Sequence, residues 1–194
     1  MDNFTTINIL DMNEVVGEDN MSSILSDFSC PKNKEIENYI QNLALEFAKK
    51  KMSITYLVVD HNGYVVGIFT LTHKVVEVKN STLSNSIRKK LLRFSRLNEE
   101  TDSFTVSAFL IAQFGKNYAS PNSIKISGTR LMDLTFDVLK KVQHDIGGGL
   151  VFLECEDKDN LLDFYQSEQN GFKIFGERYS ENDDVKYIQL LKIF

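Results

Sequence analysis

Apolar residues recur along the chain with two different spacings, which predict helices in some segments and strands in others. From Lys34 to Lys51 the apolar side chains fall three and four positions apart, as in one amphipathic helix. Two β-rich runs, ITYLVVD and YVVGIFTLT, flank the turn His61-Asn62-Gly63. Because an Asn-Gly pair supplies the positive φ angles of a tight turn, these runs predict a β-hairpin, which the following VVEV prolongs.

The remaining segments extend this pattern into a mixed α/β fold. Asn3 to Asp11 is predicted to be a first strand, and Asn13 to Cys30 a loop with a short helix. After the hairpin, the pattern predicts an inserted helix within about 80–102, the strand FTVSAFLIAQF, a loop from Gly115 to Lys125, the helix ISGTRLMDLTFDVLKKVQHDI, the strand GLVFLECED, the helix DNLLDFYQSEQNG with its N-cap near Asp159 or Asn160, and the strands FKIFGERYS and DVKYIQLLKIF. This order predicts a single α/β domain over 1–194 with a mixed, partly antiparallel sheet.

Composition narrows the class of protein. The chain has 194 residues, a hydrophobic share of 42% and a formal net charge of −5, which suit one globular domain and argue against a surface that is basic throughout. No run approaches about 18 consecutive apolar residues, and the opening MDNFTTINIL lacks the features of a secretory signal. Cys30 and Cys155 stand far apart, in no metal-ligand spacing. We therefore expect a cytoplasmic protein with reduced thiols, no membrane segment and no metal.

One segment is strongly basic although the chain as a whole is acidic. The predicted inserted helix carries five cationic residues close together: Arg88, Lys89, Lys90, Arg93 and Arg96. Such a cluster can contact RNA phosphates, in which case binding should weaken steeply with salt. The alternative is an ordinary solvated helix face.

The junction FLIAQFGKNYASPNSIKISGTRLMDL combines a strand, a loop and a helix start. A helix N-terminus offers unpaired backbone N–H groups and the positive end of the helix dipole. Gly128 allows close approach there, and Ser127 and Thr129 add hydroxyl groups, so the junction predicts a pyrophosphate cradle. The alternative is that Ser127 is only an N-cap and that Gly128 only relieves crowding in the first turn.

Two motifs in the chain resemble those of the GNAT superfamily of CoA-dependent N-acetyltransferases. The family's cofactor motif, Gln/Arg-x-x-Gly-x-Gly/Ala after a strand, corresponds to Gln113 and Gly115, then Ser127-Gly128. Lys116–Lys125 form a loop that the family motif lacks. The second motif corresponds to VFLECED, NLLDFY and NGF, and the likeness runs from about Ser26 to Phe194. DFSC and the basic insertion also resemble a branch related to acetyltransferase toxins.

The resemblance implies a central, mostly antiparallel sheet with helices on both faces and a parallel pair splayed at the cofactor site. It also implies acetyl-CoA as co-substrate. The residues that it assigns to the cofactor are Leu110, Ile111, Gln113, Gly115, Lys116, Asn117, Ser127, Gly128, Thr129, Asn160 and Tyr165. Lys158 stands where the family often has a cofactor-binding Asn, so Asn160 is a candidate substitute, with a helix cap as the alternative role.

The resemblance further implies catalytic roles. Tyr165 occupies the position of the tyrosine that protonates the departing thiolate, and a backbone N–H near Leu110 or Ile111 stabilises the oxyanion. Glu154 or Glu156, at a strand end, is a candidate base for the amine, with a solvated carboxylate as the alternative. Cys155 points away from these glutamates by alternation and is interpreted as a core residue.

These expectations leave two classes of function open. The first is an N-acetyltransferase that modifies a small-molecule or protein amine, or charged tRNA as in the toxin-like branch. The second is a catalytically weak protein that binds CoA or a partner. The oligomeric state is expected to be a monomer or a homodimer.

Overall fold

A computed structural model of the chain describes residues 3–181 and 184–194. The described part contains the following helices and strands: β1 Phe4–Asn8, α1 Ile9–Val16, α2 Glu18–Ser26, α3 Lys34–Asn42, α4 Ala44–Lys49, β2 Ile54–Asp60, β3 Val65–Lys79, α5 Asn85–Leu91, β4 Leu97–Asn98, β5 Ser103–Lys116, α6 Gly128–Ile146, β6 Leu150–Glu156, α7 Asp159–Gln166, β7 Lys173–Ser180 and β8 Val185–Ile193. None of these helices is long and apolar enough to cross a membrane.

The strands form a mixed sheet in the order β1-β2-β3-β5-β6-β8-β7, with β4 paired to β5 outside this path. β5 and β6 run parallel, pairing Phe109 with Val151 and Leu110 with Phe152. The pairs β1–β2, β2–β3, β6–β8 and β7–β8 are antiparallel. The predicted α/β class with a mostly antiparallel sheet and one parallel pair is therefore confirmed.

The chain forms two compact units. The first contains the residues up to Thr72 together with Ile111–Val138, and the second contains His73–Leu110 together with Leu139–Phe194. β3, β5 and α6 each pass from one unit to the other. The single domain over 1–194 stays a prediction.

In the first unit, the N-terminal helices pack their apolar faces on β1 to β3. The buried side chains of this core come from four helices, two strands and the loop after α2, and they include Ile9, Met21, Leu25, Phe28, Ile40, Ala44, Leu57 and Ile68. The predicted hairpin is confirmed here: β2 pairs with β3, and Gly63 has a φ of 87° in the turn.

In the second unit, the inserted segment covers one face of the sheet. Leu83 and Leu91 are buried in a core with strand residues such as Val76, Phe104 and Phe152. The helix predicted within about 80–102 is α5, Asn85–Leu91, so it takes up only part of that segment. The chain then turns into β4, which pairs with β5.

The first strand and the first long helix are shorter than their patterns predict. β1 ends at Asn8, whose Oδ1 accepts a hydrogen bond from the N–H of Leu10 at 2.9 Å and caps α1. The segment Asn13–Cys30, predicted to be a loop with a short helix, contains the end of α1 and all of α2. The predicted helix Lys34–Lys51 is interrupted at Leu43, where φ is −122°, so the segment forms α3 and α4.

Two predicted boundaries near the candidate site are also corrected. Gly115 and Lys116 belong to β5, whereas the sequence analysis placed them at the start of a loop from Gly115 to Lys125. The N-cap of α7 is Lys158, which makes no side-chain capping bond, so neither Asp159 nor Asn160 is the cap. α7 ends at Gln166, before the predicted end of the helix.

Candidate active site

The N-terminus of α6 lies in the first unit and is capped by Ser127. Its hydroxyl accepts a hydrogen bond from the N–H of Arg130 at 3.0 Å, and its carbonyl accepts one from Leu131 at 3.1 Å. Ser127 is exposed, and Gly128 and Thr129 are half-buried. The N-cap interpretation is confirmed. The same geometry leaves the positive end of a 19-residue helix at Gly128, where an anion is stabilised.

Glycines bring the end of β5 close to its neighbours in the first unit. A Cβ on Gly67 would lie 3.2 Å from the carbonyl oxygen of Gly115 and 3.2 Å from the methyl groups of Leu131. A Cβ on Gly115 would lie 3.2 Å from Ile36. The strand end and the first turn of α6 therefore converge on Gly67, and Gly115 is needed for packing as well as for any ligand.

Asn117 fixes the start of the long loop. Its side chain donates to the carbonyl of Val65 at 2.9 Å and accepts from the N–H groups of Ser29 and Ala119, both at 3.0 Å. Its backbone N–H donates to Val66 at 2.9 Å. With all these groups engaged, Asn117 positions the loop, and its side chain has little capacity left for a cofactor.

Asp60 fixes the end of the same loop. Its carboxylate accepts from the N–H groups of Asn62 at 2.9 Å and Tyr64 at 3.0 Å, and its other oxygen accepts from Ile124 at 2.9 Å. Burial opposes ionisation of Asp60, which is only 4% exposed, but the three N–H donors outweigh it and lower its pKa. Sequence reasoning missed Asp60; an Asp directly before an Asn-Gly turn was the available signal.

The predicted oxyanion and strand-end residues lie along β5. Leu110 is half-buried and pairs with Phe152 of β6 in the second unit. Ile111 and Gln113 fall in the first unit, where Ile111 is buried and Gln113 half-buried. The cofactor residues of the prediction are thus divided among elements of both units.

Tyr165 lies in the last turn of α7, in the second unit. It is 8% exposed, with its ring edge-to-face against Phe164 and Phe172 at centroid distances of 5.0 and 6.0 Å. Burial, aided by the charge of Cys155, raises the pKa of the phenol above its usual value. The hydroxyl is therefore protonated at neutral pH, as a proton donor must be.

Glu154 of β6 is held by two side chains of the second unit. Arg178 donates to Oε2 at 2.8 Å, and Gln189 donates to Oε1 at 2.8 Å. Burial opposes ionisation of Glu154, but hydrogen bonds and charge from Arg178, the bond from Gln189 and the charge of Lys74 lower its pKa. Sequence reasoning missed Arg178, which reaches Glu154 from β7 across β8.

The remaining candidate residues of β6 and α7 are exposed, ion-paired or buried in the core. Asn160 is exposed in the first turn of α7, and Lys158 pairs with Glu156. Cys155 is buried, and burial followed by the charges of Asp157 and Glu156 raises its pKa to about 11. The Cys155 thiol is therefore protonated at neutral pH, which agrees with a core residue and disfavours a nucleophile.

The basic segment is largely at the surface of the second unit. Lys89, Lys90, Arg93 and Arg96 are exposed, and Arg88 is half-buried. Two apolar residues among them are also exposed, Leu92 at 54% and Phe94 at 44%. Within residues 3–181 and 184–194, no group of three His, Cys, Asp or Glu side chains could hold a metal ion.

No family model and no curated protein matches the sequence. Solved structures do match. The toxin AtaT complexed with acetyl-methionyl-tRNAfMet is similar at a TM-score of 0.63 and 14% identity, over 95% of this chain and 93% of that chain. A mutant of AtaT bound to the C-terminus of the antitoxin AtaR and acetyl-CoA has a TM-score of 0.60 at 14% identity, over 99% and 94%.

A mutant of KacT is similar at a TM-score of 0.61 and 14% identity, over 96% of this chain and 94% of that chain. The chain has the GNAT fold. The fold that the two sequence motifs predicted is thus confirmed over nearly the whole chain.

Proposed function

We propose that the chain is an acetyl-CoA-dependent N-acetyltransferase. The observation that carries the proposal is the position of Tyr165, a buried phenol in the last turn of α7. The solved structures of similar fold include one bound to acetyl-CoA, which supports the same co-substrate here. Under this proposal the α6 N-terminus at Ser127, Gly128 and Thr129 binds the pyrophosphate.

The proposed reaction is a direct transfer in a ternary complex. The nitrogen of a neutral amine attacks the thioester carbonyl, and the carbonyl electrons move to oxygen to form a tetrahedral oxyanion. A backbone N–H of Leu110 or Ile111 stabilises that oxyanion. When the carbon–sulfur bond breaks, Tyr165 gives its proton to the thiolate, and the products are the acetamide and CoA.

The amine must lose a proton, and Glu154 is the proposed acceptor, directly or through water. Its lowered pKa ensures that it is ionised at neutral pH. Its hydrogen bonds from Arg178 and Gln189 make it a weaker base than a solvated carboxylate, so the role requires these contacts to rearrange. Gln113, Gly115 and Lys116 are proposed to contact the cofactor at the end of β5, and Asn160 at the start of α7.

The proposal is tested by following free thiol from acetyl-CoA with a panel of primary amines. Tyr165→Phe is expected to lower kcat by about 10²–10⁴ while Kd for acetyl-CoA is retained, because only the proton donor is lost. Tyr64→Phe, at an exposed tyrosine, is the matched control and should leave both values unchanged. Thiol release at the background rate with every acceptor would refute the enzyme and leave the CoA-binding alternative.

A second candidate acceptor is the amine of a charged tRNA. The exposed basic segment of Arg88, Lys89, Lys90, Arg93 and Arg96 supports it, and AtaT, of similar fold, has been solved with acetyl-methionyl-tRNAfMet. If the five cations contact phosphates, the logarithm of the binding constant should fall linearly with the logarithm of the salt concentration. Each alanine substitution should reduce the magnitude of that slope by about one.

Lys140→Ala and Lys141→Ala, on exposed positions of α6, are charge-matched controls for the tRNA measurement. A salt slope that the five substitutions leave unchanged would exclude this surface. The acceptor would then be a small-molecule or protein amine, which the same amine panel identifies.

A further inference from the structure

An aromatic ring near the start of the long loop is flanked by two ammonium groups. Nζ of Lys32 lies 5.8 Å from the centroid of the Tyr118 ring, and Nζ of Lys116 lies 6.0 Å from it. The two lysines come from different parts of the first unit, since Lys32 precedes α3 and Lys116 ends β5. All three residues thus meet at one place on the surface.

The ring is held in place by its backbone. The N–H of Tyr118 donates to the carbonyl of Ser29 at 2.8 Å, and the preceding Asn117 is bonded to β3 and to Ser29. The ring itself is 44% exposed. The backbone of Tyr118 is therefore anchored while its ring stays accessible to a ligand.

The two cations form no ion pair with any carboxylate in the described part of the chain. Among residues 3–181 and 184–194, neither Lys32 nor Lys116 forms an ion pair, although other lysines such as Lys34 and Lys49 do. Each ammonium group can therefore donate a charge-assisted hydrogen bond to a bound anion. A ligand with an aromatic ring and a phosphate matches both features of the site.

We propose that Lys32, Tyr118 and Lys116 bind the adenosine 3′-phosphate end of coenzyme A, with adenine on the Tyr118 ring and the 3′-phosphate at the two lysines. The inference rests on the proposed function for the identity of the ligand. It also gives the lengthened loop a role, because Tyr118 belongs to the residues that the family motif lacks. The site is distinct from the α6 N-terminus, to which the pyrophosphate is assigned.

The test compares three ligands by calorimetry: CoA, 3′-dephospho-CoA and adenosine 3′,5′-bisphosphate. The wild type should bind CoA about tenfold or more tightly than 3′-dephospho-CoA, because two charge-assisted contacts are lost with the phosphate. In Lys32→Ala with Lys116→Ala this preference should disappear. Tyr118→Ala should weaken all three ligands, and Tyr118→Phe should retain their binding.

Lys141→Ala is the charge-matched control, and thermal unfolding verifies that each variant is folded. If the double lysine variant keeps the wild-type preference for CoA, the inference is wrong while the proposed function stands. If adenosine 3′,5′-bisphosphate binds through the lysines but CoA does not bind, the nucleotide site stands and the proposed function fails. If no ligand binds the wild type, both fail.

Discussion

Asp60 and Ile124 are 64 positions apart in the chain, and the Asp60 carboxylate accepts a hydrogen bond from the Ile124 N–H at 2.9 Å. The same buried carboxylate accepts from two N–H groups of the hairpin turn. One side chain therefore stabilises the turn after β2 and holds the far end of the loop before α6. This loop leads directly to Ser127, so the contact bears on the candidate cofactor site.

Asp60→Asn is expected to lower the free energy of unfolding by about 1–3 kcal/mol, because an amide offers one acceptor oxygen and leaves a buried N–H donor unpaired. Urea unfolding measures this loss. Hydrogen exchange should rise at Ile124 and its loop neighbours, since their anchor is weakened. Asp27→Asn, at an exposed position, is the control and should change neither value. Unchanged exchange in the loop would contradict the anchoring role.

The lowered pKa of Asp60 predicts the sign of a pH effect. The unfolded state binds a proton at higher pH than the folded state does, so Asp60 stabilises the fold fully above its ordinary pKa of about 3.9. This stabilisation is lost as pH falls through the lower folded pKa. Unfolding measured from about pH 7 down to about pH 3 should therefore show a smaller acid loss in Asp60→Asn than in the wild type. Parallel curves for the two proteins would contradict the assignment.

The hairpin and the order of elements were predictable because their signals are local. Asn62-Gly63 sets the turn by its own backbone preference, and β6 shows as a short apolar run. The contacts that organise the candidate site are not local. Asp60 meets Ile124 only after the loop has folded back on the hairpin, and no spacing in the sequence encodes that contact.

Gly115 and Glu154 also have tertiary contacts that the sequence did not predict. Gly115 was expected at the start of a loop, whereas here β5 continues through it and Ile36 fills the space that a side chain would need. Glu154 was correctly placed on a strand, but its partner Arg178 comes from β7, 24 positions later. A candidate catalytic residue can thus be found from its residue type and position, whereas the groups that shift its pKa are known only from the tertiary structure.

The proposed role of Glu154 predicts that kcat/KM falls at low pH, and that the pH of this acid limb depends on Arg178. If Glu154 is the base, kcat/KM should fall only below the usual carboxyl pKa, because hydrogen bonds from Arg178 and Gln189 keep it ionised. Arg178→Leu removes the main partner and leaves the burial that raises the pKa, so the limb should move to higher pH. Glu154→Gln should abolish the limb and most of the activity. A limb that Arg178→Leu does not move would assign the base to another group.

Gly149, before β6, is predicted to position the basic segment of the insertion, because the Phe94 ring packs against it. A Cβ on Gly149 would lie 2.1 Å from Cζ of Phe94, closer than any real contact, so Gly149→Ala must displace the ring. We expect a loss of about 1 kcal/mol in stability, at the lower end for overpacked sites, because Phe94 is 44% exposed and its ring can move aside. In a Phe94→Ala background the ring is gone, and Gly149→Ala should then cost little.

The double-mutant cycle of Phe94 and Gly149 therefore isolates the contact, with a coupling free energy of about 1 kcal/mol or more expected from urea unfolding. Additive losses would show that Gly149 is needed for the backbone alone. If tRNA is the acceptor, Gly149→Ala should also weaken its binding, because Phe94 lies between Arg93 and Arg96 in the exposed segment. The five cations would keep their charge in this variant, so a loss of affinity with an unchanged salt slope would assign the effect to the position of the segment.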